Sequence, residues 1–183
     1  MIADSPSGWV ARWTAQLGAG TSALDLACGS GRHARLLAGR GCRVTAVDRD
    51  PAAAQALANE PNVEFVHADL EADPWPLANR TFDAIVVTNY LHRPLFIALK
   101  RALAPGGLLV YETFAAGNAA FGRPSNPDYL LRPRELLDAF GADMRLLGFE
   151  DGFTTQPKPA MVQRIAARNG DVAAVLAAEK CHL

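Results

Sequence analysis

Short apolar runs alternate along this chain with segments whose apolar residues recur every three to four positions. Ser5-Pro6 supplies an N-cap and a first-turn proline, and Trp9, Trp13 and Leu17 then fall at helical spacing. A buried strand is predicted over Ala23–Ala27, a helix over Gly31–Ala38 stopped by Gly39 and Gly41, and a second strand over Arg43–Val47. Asp50-Pro51 caps an alanine-rich helix at Ala52–Ala58, and a third strand follows at Val63–Val66. Asp73-Pro74-Trp75-Pro76 cannot continue a ladder and reads as a loop. Phe82–Val87 is a fourth strand, Leu95–Leu103 a helix ended by Pro105-Gly106-Gly107, and Leu108–Phe114 a fifth strand.

Beyond Phe114 the pattern breaks. Ala115–Arg132 has no period and reads as a functional loop rather than a spacer. Pro133–Phe140 predicts a helix closed by Gly141, and Met144–Phe149 and Val162–Ala167 predict two strands able to pair antiparallel at one edge. Asp171 caps a last helix with Val172, Val175 and Leu176 on one face. Five strand–helix alternations imply a parallel sheet with helices on both faces, and no internal repeat or second-domain linker interrupts them.

Composition narrows the setting. The 183 residues suit one domain, and a formal net charge of −1 with 20% charged residues gives no evident nucleic-acid or membrane-binding surface. Cys28, Cys42 and Cys181 lack framework spacing, the first residues lack the pattern of a signal peptide, and no apolar run is long enough to span a bilayer. A cytoplasmic protein is expected. Cys181-His182 has no further ligands nearby, so no metal site is expected.

The chemistry gathers at strand ends, where open parallel sheets bind ligands. The first strand ends in Asp25 and runs through Gly29-Ser30-Gly31 into a helix. Glycines there let a ligand approach the backbone, the helix start favours an anionic group, and Asp25 suits an ammonium group. Asp48 ends the second strand, at the spacing for ribose hydroxyls. Asp69-Leu70 ends the third, where a carboxylate suits an adenine amino group, and Thr88-Asn89-Tyr90 ends the fourth. Each aspartate alone is also an ordinary cap or turn residue; their joint order is the signal.

These residues resemble the class I S-adenosylmethionine-dependent methyltransferases. Ala23–Gly31 is similar to the first motif of that family, Ala46-Val47-Asp48 to its ribose-binding motif, and His67-Ala68-Asp69-Leu70 to its adenine-contacting one. Phe82–Val87 and Leu103–Gly107 resemble its fourth-strand and fifth-strand entry patterns, so the likeness spans residues 20–115. The resemblance implies a Rossmann-like α/β sandwich with a mostly parallel seven-stranded sheet and an antiparallel edge strand. It implies one methyltransferase domain: an N-terminal helix in 1–20, a cofactor-binding half in 21–115, and an acceptor-side half with a C-terminal helix in 116–183.

For S-adenosylmethionine the resemblance implies contacts from Asp25, Ala27, Gly29, Ser30, Gly31, Asp48, Arg49, Asp69, Leu70 and Asn89. Ala27 departs from the glycine often found at its position, and its backbone is therefore expected to avoid φ > 0. Cys28 reads as a packing residue, and Arg32 and His33 as exposed first-turn residues.

The acceptor pocket is expected from Tyr90, His92, Arg93, Glu112, Phe114 and the loop bearing Phe121, Arg123, Asn126 and Tyr129, with His92, Glu112 and Tyr129 as catalytic candidates. His92 also reads as a plain helix-entry residue, Glu112 as a salt-bridge partner of Arg93 or Arg123, and the Arg123, Arg132, Arg134 cluster as a solvated face. A small-molecule acceptor is expected, with the compact layout similar to the tellurite-resistance-type branch; a tRNA or protein acceptor is the alternative. Gly29-Ser30-Gly31-Arg32-His33-Ala34 also fits an NAD(P) fingerprint, but Asp25 would repel a pyrophosphate there. A binding module without turnover is a third reading.

Overall fold

Alternate residues of each central strand face opposite sides of the sheet, and both sides are apolar. Leu24, Leu26, Ile85, Val87, Leu109 and Tyr111 point to one face, and Ala23, Ala84, Val86, Leu108 and Val110 to the other. Such strands are stable only between two helical layers. The computed structural model, which describes residues 5–170, shows that sandwich.

Its elements are α1 (Gly8–Trp13), β1 (Ser22–Leu26), α2 (Arg32–Gly39), β2 (Arg43–Asp48), α3 (Pro51–Leu57), β3 (Val63–His67) and β4 (Phe82–Thr88). Then come α4 (Leu95–Ala102), β5 (Leu103–Phe114), α5 (Glu135–Phe140), β6 (Met144–Thr154) and β7 (Ala160–Asn169). The seven strands form one sheet in the order β3-β2-β1-β4-β5-β7-β6. β1 to β5 pair parallel, and β7 is antiparallel to both β5 and β6. The antiparallel pair thus closes one edge, with β7 lying inside β6. Chain order reverses between β1 and β4, which makes their carboxyl ends the crevice of the fold.

Residues of α1, α2 and α3 (Trp9, Val10, Ala34, Leu37, Ala53, Leu57) fill one core. Residues of α4 and α5 (Leu95, Leu99, Leu136, Phe140) fill the other. Local chemistry explains the starts: Ser7 caps α1 by accepting from Trp9 and Val10, and Asp50 caps α3 with Pro51 in its first turn.

Several element bounds differ from expectation. The N-cap of α1 is Ser7 rather than Ser5, and α1 stops at Trp13, so Leu17 packs on the core from a turn. Pro105-Gly106-Gly107 does not separate helix from strand; β5 begins at Leu103, and the register shift between Phe82 and Ala84 absorbs the segment. β6 and β7 are longer than their apolar cores, because their antiparallel ladder runs on through Glu150–Thr154 of β6 to Ala160 of β7. The expected helix after Asp171 and the Cys181-His182 pair lie outside the described residues.

His33 is the largest departure. It is 1% exposed, not a surface residue of the first turn. Its Nε2 accepts from the Ser7 N–H at 3.1 Å, and its Nδ1 meets the Thr88 hydroxyl at 3.2 Å. One ring therefore joins the start of α1, the start of α2 and the end of β4. Burial, with Arg32 nearby, pulls its pKa down from 6.5 to about 3, so the ring is neutral at pH 7. Replacing His33 with leucine strands two polar partners and should cost about 1–3 kcal/mol. Amide exchange over residues 7–13 is expected to quicken; unchanged exchange there would show that the ring does not anchor α1.

Candidate active site

The turn that follows β1 is built against steric preference. Ala27 has φ 54°, Gly29 53° and Gly31 77°. The expectation that Ala27 avoids positive φ is therefore corrected. A left-handed alanine costs about 1–2 kcal/mol, and surrounding hydrogen bonds hold it there. The Cys28 N–H donates to the Val47 carbonyl, the Gly31 N–H to the Cys28 carbonyl, and the Gly29 N–H to Asp48 Oδ2 at 2.7 Å. Gly31 is obligatory for a second reason: a Cβ there would stand 2.4 Å from a methyl of Leu57. Asn89, at the end of β4, is the matching strained residue, with φ 54° and its N–H on the Glu112 carbonyl.

Beyond this turn opens a cleft of about 450 Å³. Ala27, Gly29, Ser30, Asp48, Arg49, Asp69, Leu70 and Asn89 line it, drawn from the ends of four strands. Asp48 Oδ1 accepts from Asp50 N–H while Oδ2 holds Gly29, leaving the carboxylate's remaining lone pairs to the cleft. Arg49 and Asp69 face each other at 3.8 Å across an exposed rim. Tyr90, expected on the acceptor side, lines this cleft, and its buried hydroxyl has no hydrogen-bond partner among the described residues. Burial and the nearby Glu71 and Asp69 carboxylates push the Tyr90 pKa up, so it stays a donor.

Asp25 and Gly31 stand apart from the other expected contacts, since neither lines the cleft. Asp25 lies behind the turn, 1% exposed; Oδ2 accepts from the Ala34 N–H at 2.8 Å, and Oδ1 is buried without a partner. Burial pushes its pKa from 3.8 up to about 7, against the Ala34 bond and the Arg32 charge.

A second cleft, of about 610 Å³, adjoins the first and shares Arg32 and Asn89 with it. Of the three catalytic candidates only Glu112 lines it. Glu112 pairs with Arg164, which also binds Glu150 at 2.9 Å; it pairs with neither Arg93 nor Arg123. His92 is half-buried at the entry of α4 with its carbonyl bonded to Leu95 N–H, and Tyr129 is 53% exposed on a single helical turn. Neither lines either cleft. Arg93 is taken up instead by Glu135 and by the Asp128 and Leu130 carbonyls, clamping the irregular loop. Sequence reading missed Arg12, Lys158 and Arg164, all of which line the second cleft; they come from outside the motif-bearing strands and carry no local signal.

Comparison with known proteins agrees with this geometry. Residues 23–107 match the methyltransferase domain family model. Over that stretch the chain is similar to methyltransferase domains. The chain is 34% identical over 103 residues to a malonyl-[acyl-carrier protein] O-methyltransferase of Serratia marcescens, and 37% over 105 residues to a trans-aconitate 2-methyltransferase of Paracidovorax citrulli. Those matches cover 54% and 52% of this chain, and 40% of each relative's length. Among solved structures, TehB of Haemophilus influenzae superposes with a TM-score of 0.76 at 19% identity, covering 90% of this chain and 63% of TehB. A TehB-like methyltransferase of Corynebacterium glutamicum gives 0.62 at 24% identity, covering 88% of both chains.

The raised Asp25 pKa sets a pH dependence. The folded carboxyl holds its proton more tightly than the unfolded one, so its contribution to stability falls as pH rises from about 4 to about 7. Asp25→Asn should match the native chain in urea midpoint near pH 4 and exceed it above pH 7. A difference that stays constant with pH would contradict the buried, proton-holding carboxyl.

Proposed function

We propose that this chain is an S-adenosylmethionine-dependent methyltransferase that moves a methyl group from the first cleft to a small-molecule nucleophile in the second. The observation that carries the reading is the junction: two clefts meet at Arg32 and Asn89, on the rim where the fold binds ligands.

The residues present fit the donor. Gly29 would meet nothing within 4 Å even with a Cβ, so its backbone is open to a ligand, and the partnerless Asp25 oxygen suits an ammonium group behind the turn. In this reading Gly29 and Ser30 hold the amino-acid end with Asp25 and Gly31 behind them in the turn, Asp48 holds the ribose, Asp69 and Leu70 the adenine, and Asn89 lies beside the reacting centre. Bound there, the donor supplies an already activated methyl group on a sulfonium.

The chain's own task is then alignment and exclusion of water, and good alignment alone is worth up to about 7–11 kcal/mol. Strained Ala27 and Asn89 keep the two sides of the junction in register. A small acceptor suits the size of the second cleft. The name of one curated relative, built on trans-aconitate, supports an acceptor of that scale.

Calorimetry with S-adenosylhomocysteine tests the donor side. Asp48→Ala removes a charged acceptor and should raise the Kd at least about tenfold, with the far-ultraviolet circular dichroism unchanged. Equal affinity in the variant would remove Asp48 from the site.

A further inference from the structure

The second cleft is positively charged although the chain as a whole is slightly negative. Its lining holds four cationic side chains and two carboxylates. Both carboxylates, Glu112 and Glu150, are bound to Arg164. Arg32 sits at the junction with the first cleft and has interactions of its own, and of the other two cations, Arg12 and Lys158, neither is in an ion pair among the described residues. Each instead lies against an aromatic ring, Arg12 at 4.9 Å from Trp13 and Lys158 at 5.9 Å from Phe114. The two cations come from α1 and from the β6–β7 connection, so they approach the cleft from separate elements.

Among the described residues the cleft also lacks a free base. Its lining contains no histidine, and Glu112, the one carboxylate buried beside Asn89, is neutralised by Arg164. An alcohol or ammonium acceptor must lose a proton to react, and none of the described lining residues is placed to take it.

From the charge of the lining and the missing base together, we infer that the acceptor is a carboxylic acid, methylated on a carboxylate oxygen and steered by Arg12 and Lys158. The inference rests on the donor reading above. An oxygen lone pair forms the new O–C bond as the C–S bond breaks and its electron pair returns to sulfur. Carboxylate and sulfonium charges vanish together, giving an ester and a thioether, and no proton moves. A planar guanidinium matches a carboxylate in two parallel hydrogen bonds, which a lone thiolate cannot offer.

The test has two stages. First, S-adenosylhomocysteine binding is measured by calorimetry in the native chain and in Arg12→Gln/Lys158→Gln; equal heat in both is expected, and no binding in the native chain would sink the donor reading itself. Second, succinate and citrate are titrated into the S-adenosylhomocysteine complex, and methyl transfer to them, to their amides, to 2-mercaptoethanol and to tellurite is followed with labelled donor. Expected are binding of at least one acid, label released as methanol by alkali, and a loss of at least about tenfold in both binding and kcat/KM in the double variant. Faster turnover of an amide, the thiol or tellurite than of either acid would overturn the inference. So would a chain that neither binds an acid in its S-adenosylhomocysteine complex nor methylates one with the labelled donor, or a double variant that handles acids unchanged.

Discussion

The bond from the Gly29 N–H to Asp48 is the constraint on which the site depends. It joins the end of β1 to the end of β2 across a backbone that would otherwise relax, since Ala27, Gly29 and Gly31 all sit at positive φ. The same carboxylate caps Asp50 and so fixes the entry to α3, whose Leu57 packs against Gly31. Strain at Ala27 is thus held in place by hydrogen bonds and packing from a neighbouring strand and helix. On the far wall, Asn89 is held in the same way by Glu112. Backbone strain concentrated at two facing strand ends, and nowhere else along β1 or β4, marks the place where the fold does its chemistry.

Two buried titratable groups beside the turn give the site its electrostatic character. Asp25 holds its proton up to about pH 7, and His33 refuses one down to about pH 3. Both therefore sit near neutrality where ordinary aspartate and histidine would carry more charge. A partnerless carboxyl oxygen in the interior costs stability, and a bound ammonium group is the natural compensation. His33 spends both of its nitrogens on structure, tying α1 to the sheet. Because α1 also carries Arg12, that tie positions one side of the second cleft.

Much of this was readable from sequence, for local reasons. The succession of strands and helices over residues 23–115 follows from apolar runs, cap residues and glycine turns, all of which act over a few positions. Asp48, Asp69 and Asn89 were legible because each directly follows such a run. What was not legible depends on distant pairings. His33 looks like an exposed helix residue until Ser7 and Thr88 close on it, and Ala27 looks safe until β2 forces its backbone over. Glu112 was read with Arg93 or Arg123 as its ion-pair partner, but β7 brings Arg164, 52 residues away, onto its carboxylate. His92 and Tyr129 were attractive by residue type, but His92 sits at the entry of α4 and Tyr129 on the loop that Arg93 clamps, and neither lines either cleft.

The central claim is that the strained turn, together with the three strand ends beside it, receives S-adenosylmethionine. Hydrogen exchange in the presence and absence of S-adenosylhomocysteine, with NADH as the comparison, addresses it most directly. The account predicts slowed exchange at residues 27–31, 48–50, 68–71 and 88–90 with S-adenosylhomocysteine, and none with NADH. Protection by NADH at these segments, or no change there with S-adenosylhomocysteine, would contradict it.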